Sequence, residues 1–364
     1  VAGRGERRPR GRSHAAPCRA AGPGRGGAMS GAGTELLAKA RRFREVDVIQ
    51  HESVPNVPEM LEKICNFLQK HETPSPQDCT HTVFDNFPDW WQPQKSSFKL
   101  AVAEDNTLEL LYGFISNCYD LGIPLTLTEK RTPQIRFIQD IEIWGTQNAT
   151  LTAEDLLRPE TKFARILGKT MGEIYPNRDF LDAVVFDSSG KSMTKGVMKT
   201  SLRLVWSSII VDKERAARIR DFVVHKFKDC KDEEITALEN KMQEDSKANE
   251  WASVFSDAVY FGRFGIRMPL NDRTSPAPLK KPENRPLNPH GVLRFTFAEG
   301  SLADVEQIAQ KQDLDGTEWL KIGCVRQDAG SPLTEWVEPK WRGERAPRPA
   351  AQSHQGGGGG GGGG

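Results

Sequence analysis

Asp140 and Glu142 stand two apart in "RFIQDIEIWG" (136–145), within a run otherwise rich in apolar and β-branched residues. In an extended strand alternate side chains share a face, so the two carboxylates project together, roughly 7 Å apart along the chain. Ile141 and Ile143 then point the other way, into a core. Two buried carboxylates cannot both stay ionised without compensation, because desolvation and mutual repulsion raise their pKa values. A divalent cation provides it: Mg²⁺ and Mn²⁺ favour carboxylate oxygens, and a D-x-E pair on a rigid strand suits nucleotidyl or phosphoryl transfer. The plainer alternative is a half-exposed strand whose acids pair with Lys or Arg neighbours.

Two further stretches carry chemistry. "KTSLRLVWSSIIVD" (199–212) sets Lys199, Ser201 and Arg203 on one face of a strand, which is either an anion-binding row or a solvated basic edge. "SDAVYFGRFGIRM" (256–268) adds Asp257, a metal ligand or a turn cap, and Arg267. Lys280, Lys281, Arg285 and Arg294 surround a Pro-rich stretch and are weak candidates for template phosphates. Trp90 and Trp91 offer base stacking or ordinary packing. "ILGKTMG" and "SSGKSMT" contain G-K-[ST], but Phe163 and Val185 stand where a phosphate loop needs Gly, so neither is one. No G-x-S-x-G elbow suggests a serine hydrolase.

These residues need strands to hold them and helices to bury the strands. "NVPEMLEKICNFLQKH" places Met60, Ile64, Phe67 and Leu68 on one helical face, and "NTLELLYGFISNCYDLG" predicts a second helix closed by Gly122. "IPLTLTEKRTPQIRFIQDIEIWG" alternates and predicts two strands joined near 130–133. Thr152 with Asp155 is a capping-box signal. "LDAVVFDSSGKSMTKGVMKTSLRLVWSSIIV" predicts two strands about a Ser/Gly/Lys connection, and 212–255 two helices broken near "KDCKDEE". "DAVYFGRFGIRMPL" predicts a strand bent at Gly262 and Gly265; "GVLRFTFAEG" predicts another, followed by a helix over 301–312. The fold class is α/β or α+β with a mixed sheet.

The chain has 364 residues with 37% hydrophobic content, enough for one large or two modest cores. Net charge is +1, but residues 1–28 hold seven Arg against one Glu, leaving the remainder near −5. Global charge therefore neither favours nor excludes a nucleic-acid partner. Six single cysteines, with no C-x-x-C pair, point to a reducing compartment and give no zinc site. No apolar run is long enough for a membrane helix, so membrane partners are not expected and an intracellular, most simply nuclear, residence is. Residues 1–28 are expected to be a disordered leader, either translated upstream sequence or an organelle transit peptide, and 342–364 a Gly-rich tail.

The three motifs together, "FIQDIEIWG", "KTSLRLVWSSIIVD" and "SDAVYFGRFGIRM", resemble the archaeo-eukaryotic primase superfamily, PrimPol-like proteins and the primase halves of large-DNA-virus primase-helicases in particular. The resemblance implies a two-lobed primase core over 35–341, with an N-terminal α/β module at 35–130 and a catalytic module at 131–341 built on an RRM-like sheet. It implies that Asp140, Glu142 and Asp257 hold two Mg²⁺ or Mn²⁺ ions, and that Lys199, Ser201, Arg203 and Arg267 bind the incoming nucleotide. The implied activity is template-directed transfer of a dNTP or NTP to a primer 3′-hydroxyl on single-stranded DNA, with a separate helicase or single-strand-binding protein as accessory. One departure stands out: the family has His where this chain has Arg203. Arg can grip phosphate bidentately but cannot titrate, so an inert nucleic-acid-binding member of the same fold is the rival expectation. On the metal reading, removing Asp140 relieves a buried charge and leaves folding intact.

Overall fold

A computed structural model describes residues 57–83, 98–262, 265–273, 283–328 and 330–341. The expected leader, the tail, Trp90, Trp91, Lys280, Lys281 and Cys18 lie outside them. No helix among the described residues is long and apolar enough to cross a membrane.

The first unit begins with α1 (Val57–Lys70), whose Ile64, Phe67 and Leu68 are buried as the periodicity predicts, with Met60 only partly buried and Leu61 joining the buried face. Strands β1 (His81–Val83) and β2 (Phe98–Leu100), helix α2 (Asp105–Asp120) and β3 (Leu127–Glu129) follow. Gly122, with φ of 75°, closes the chain after α2 in the left-handed region a β-carbon disfavours. The sheet order is β2-β1-β3-β9, the last strand arriving from Ile266–Arg267. Its core joins α1 and α2 to Met268, Leu270 and Leu320.

The second sheet carries the acids. In chain order come β4 (Ile135–Trp144), α3 (Ala153–Leu157), α4 (Lys162–Ile174), β5 (Phe180–Asp187), β6 (Gly190–Lys191), β7 (Met198–Val211), α5 (Lys213–Asp229), α6 (Glu233–Asp245), α7 (Trp251–Val254), β8 (Phe255–Ser256) and α8 (Ala258–Phe261). After β9 come β10 (Asn288–Ala298), β11 (Ser301–Gln310) and α9 (Gly316–Gly323). Strand order is β11-β10-β5-β7-β4-β8, with β6 paired to β7. Phe163 and Leu167 of α4, Phe227 of α5 and Trp251 share one core with Ile141 and Ile143 of β4. Thr152 and Asp155 form the expected capping box at α3.

The α/β class stands, with three differences in detail. Among the described residues every strand pairing is antiparallel, so the expected mixed sheet is an antiparallel one. The helix expected at 301–312 is β11, paired along β10; the last helix is α9, opened by a capping box of Asp315 and Glu318 that the motif reading passed over. "SLADVEQIAQ" is built of good helix formers, but a turn with φ of 50° at Glu299 and 74° at Gly300 folds it back onto β10. Pairing along a sheet edge overrides local propensity. The strand expected over 257–270 is a single helical turn, α8, and only two residues of strand. Tyr260 explains the turn: its hydroxyl donates to the Ile138 carbonyl at 2.6 Å, tucking the ring beneath β4.

Candidate functional site

β7 lies between β5 and β4, so its side chains are buried over most of its length. Charged residues in such a strand must be paired, because a lone buried cation loses its hydration without compensation. The β4–β7 register sets the pairs: Asp140 lies opposite Arg203, Glu142 opposite Ser201 and Trp144 opposite Lys199. Acids and cations therefore share one face, opposite Ile141 and Ile143.

Arg203 donates from Nε to Asp140 Oδ1 at 2.7 Å and from Nη2 to Oδ2 at 2.8 Å, a bidentate fork. Its remaining nitrogen, Nη1, donates to the Arg267 carbonyl at 2.8 Å. Lys199 Nζ lies 2.8 Å from Glu142 Oε1 and 4.5 Å from the centre of the Trp144 ring. Arg273 approaches the same Glu142 oxygen at 3.6 Å and Glu283 at 4.0 Å. Arg267 Nη2 donates to Ser188 Oγ at 2.8 Å, and Ser188 Oγ to Ser201 Oγ at 3.2 Å. Arg285 donates from Nε to the Ser188 carbonyl and pairs with Glu283, leaving Nη2 buried and without a hydrogen-bond partner.

The electrostatics follow from this packing. Burial pushes the Asp140 carboxyl up, but the Arg203 charge and hydrogen bonds, with Arg267 and Arg273 behind them, hold it below the usual carboxylate range. Burial pulls Arg203 down, and Asp140 more than restores it. Arg267, buried beside Arg203 and Arg273, is lowered to about 9. Lys199 is lowered by burial, with Glu142 opposing.

The structure thus brings together Asp140, Glu142, Lys199, Ser201, Arg203 and Arg267. Asp257 follows Ser256, the residue paired with Asp140, and its side chain is exposed at the start of α8, where it makes no side-chain cap. Arg285 is buried against Ser188, and Arg294 forks onto Asp182 across the β10–β5 ladder, so neither is displayed as a free phosphate contact. Ser188, Arg273 and Glu283 belong to the cluster and went unremarked in the motifs. The "DSSG" turn was the available signal for Ser188; Arg273 and Glu283 sit in irregular segments that offered none.

Three carboxylates holding two divalent ions need unoccupied oxygens facing one another. Here both Asp140 oxygens accept from Arg203, and Glu142 faces Lys199 and Arg273. Among the described residues no three His, Cys, Asp or Glu side chains come close enough to hold a metal ion. An ion at Asp140 would displace the guanidinium and leave it buried beside a dication. The donor set does not fit the metals that the motifs imply, and the fork expected to grip phosphate is engaged with a carboxylate.

An α/β fold with two antiparallel sheets is consistent with a primase-type core. Residues 93–268 match the family model described as the C962R protein N-terminal AEP domain, AEP denoting archaeo-eukaryotic primase. Through this segment the chain belongs to the archaeo-eukaryotic primase superfamily. That family is generally one of primases and polymerases, which gives the chain a primase-like, nucleic-acid-related function. No curated protein matches the sequence.

Proposed function

We propose that this chain is a non-catalytic member of the primase superfamily that binds single-stranded nucleic acid and nucleotides without a divalent ion. The observation that carries this reading is the fork from Arg203 onto both oxygens of Asp140. A residue that must release an ion-binding carboxylate is instead the one that neutralises it. Binding is supported by the surplus of cations around the row: Lys199, Arg203, Arg267, Arg273 and Arg285 face Asp140, Glu142 and Glu283.

The residues supply charge and hydrogen bonds rather than a reaction. The partly exposed Arg273 guanidinium is the group an incoming phosphate would meet at the rim of the row, above the buried Ser188 and Ser201 hydroxyls. Asp140 and Arg203 hold β4 and β7 in register beneath them.

The test is template-directed incorporation by the purified chain with Mg²⁺ or Mn²⁺ and with deoxy- or ribonucleotides, alongside binding of a labelled single strand in EDTA. No incorporation is expected, while binding persists in EDTA and weakens with salt. Template-directed incorporation by the wild-type chain that requires Mg²⁺ or Mn²⁺ would overturn the reading and restore two-metal nucleotidyl transfer. The order Asp140, Glu142, Asp257 keeps that second reading specific, and Arg203→His, which returns the family's residue, is the variant in which it would show first.

A further inference from the structure

Beyond α9 the chain continues as a strap with no helix or strand of its own, residues 331–341, "SPLTEWVEPKW", entered through Gly330 with φ of 93°. It lies along α5, where Arg215, Arg218, Phe222 and His225 recur at spacings of three and four and so share one helix face. The strap stands outside residues 93–268, so the family match assigns it no role.

The strap is held as a bound peptide is held. The β4–β7 register jumps from the Arg136–Ile210 pair to the Phe137–Trp206 pair, so Ser207, Ser208 and Ile209 bulge from the ladder. Thr334 takes up backbone groups beside this bulge: its N–H donates to the Ile210 carbonyl at 2.9 Å, and its Oγ1 accepts from the Ile210 N–H at 2.8 Å and donates to the Ser208 carbonyl at 3.4 Å. One strap residue thus adds itself to a strand edge, the way extended peptides do. Two arginines then clamp the indoles. Arg215 lies 5.3 Å from the centre of the Trp336 ring and donates to the Thr334 carbonyl at 2.9 Å. Arg218 lies 4.5 Å from the centre of the Trp341 ring, donates to the Pro339 carbonyl at 2.8 Å and faces Glu338 at 3.8 Å. A guanidinium suits this double task, being flat against an indole and rich in donors at its edge. Phe222 and His225 complete the Trp341 seat, with ring centres 5.8 and 5.9 Å away.

The two surfaces are complementary in charge as well as shape. α5 carries six Lys or Arg against three Asp or Glu, and the strap brings Glu335 and Glu338 to it. Trp336 and Trp341 are only half-buried, Val337 and Glu338 are exposed, and the Val337 N–H on the Ile174 carbonyl is the further backbone tie. A segment held by side chains at a helix surface opens at lower cost than the strands of the core. The geometry points to the α5 face as a peptide-docking site. Residues 331–341 are its resident occupant, and a partner protein presenting an extended segment with two aromatic residues five apart and a carboxylate between them docks there by displacing the strap. α5 covers the Ile141 and Ile143 side of the sheet, opposite the acid row, so docking leaves the row open. The inference does not depend on what the row binds.

The test measures binding of a labelled synthetic peptide, residues 331–341, to the full chain in three forms: wild type, Trp336→Ala/Trp341→Ala, and that variant with Arg215→Glu/Arg218→Glu added. The tryptophan variant is expected to bind the peptide at micromolar concentration, and wild type to bind it roughly tenfold or more weakly, because its own strap competes at high effective concentration. Charge reversal on α5, or a peptide with both tryptophans replaced by alanine, should abolish binding, with a cooperative melt of each variant showing that the fold is kept. If the tryptophan variant does not fold, hydrogen exchange on wild type reads the same competition: the Thr334 and Val337 amides should exchange faster than those of β4 and β7, and faster still with excess peptide. The inference is overturned if the folded tryptophan variant leaves the peptide unbound at millimolar concentration, if charge reversal makes no difference, or if the strap amides are as protected as the β4–β7 ladder. A wild-type dimer that the tryptophan variant loses would put a second copy's strap on α5 and overturn the assignment to another protein.

Discussion

Arg203 and Asp140 stand opposite one another in the β7–β4 ladder, 63 residues apart in sequence, and share two hydrogen bonds of 2.7 and 2.8 Å. One residue of the central strand thereby fixes the register of the next and occupies the carboxylate on which metal chemistry would depend. The expectation that Asp140 could be removed without harm fails on this geometry, since its loss strands a buried guanidinium.

Breaking a buried pair by removing one partner costs on the order of 3–5 kcal/mol, whereas replacing both with apolar residues of matching volume is often neutral. Asp140→Ala and Arg203→Ala should each lower the urea midpoint strongly, and Asp140→Leu/Arg203→Met should recover most of the loss. Effects of Asp140→Ala and Arg203→Ala that simply add in the double alanine variant, within about 0.5 kcal/mol, would show that the pair is not coupled.

His81 supplies the acid limb of stability. Burial, reinforced by the positive charge of Arg326, pushes its imidazole down to about 3, while an unfolded His titrates near 6.5. The folded state therefore refuses a proton that the unfolded state accepts. The contribution is complete above about pH 6.5 and is lost as pH falls from there toward 3. Relative to His81→Gln, the wild type should lose about 1.4 kcal/mol per pH unit across that window, read from denaturant curves at stepped pH. Parallel curves for the two proteins would remove His81 as the cause.

The strands of the acid row were legible because alternation has a physical meaning: Ile141 and Ile143 demand one face, so Asp140 and Glu142 take the other. The two carboxylates, the basic strand and the primase-type order all follow from such local patterns. What Arg203 does was not legible, because its partner is chosen by a register between strands 63 residues apart, and no local pattern encodes that. β11 was hidden for the opposite reason: its own residues favour a helix, and only pairing with β10 makes them a strand. Asp257 was identifiable by its setting in "DAVY", but the single helical turn that leaves it exposed depends on Tyr260 reaching Ile138.

Two helical glycines should respond to alanine with opposite signs. A β-carbon at Gly168 of α4 would lie 2.2 Å from Phe295 Cδ1, so the helix sits close on the sheet only because the residue has no side chain. Gly113, inside α2, has nothing within 4 Å of its β-carbon position. Gly168→Ala should destabilise by about 1–3 kcal/mol through overpacking. Gly113→Ala should stabilise by roughly 0.5–1 kcal/mol through helix propensity. Thermal melts of the two variants check both signs.

The β10–β11 hairpin turns on Glu299 and Gly300, both with positive φ, at 50° and 74°. A turn with two left-handed residues matches the twist of the strands but favours Asn-Gly over Glu-Gly, since Asn tolerates that conformation better. Nothing lies within 4 Å of a β-carbon at Gly300, so the penalty there is conformational rather than steric. Glu299→Asn should therefore raise stability by a few tenths of a kcal/mol to about 1 kcal/mol, and Gly300→Val should lower it by about 1–2 kcal/mol. Because β11 is an edge strand, hydrogen exchange offers the sharper reading. Gly300→Val should speed exchange along 301–310 while leaving the β4–β7 amides protected. Equal acceleration in both regions would show that the hairpin folds as one unit with the acid row rather than as an independent edge.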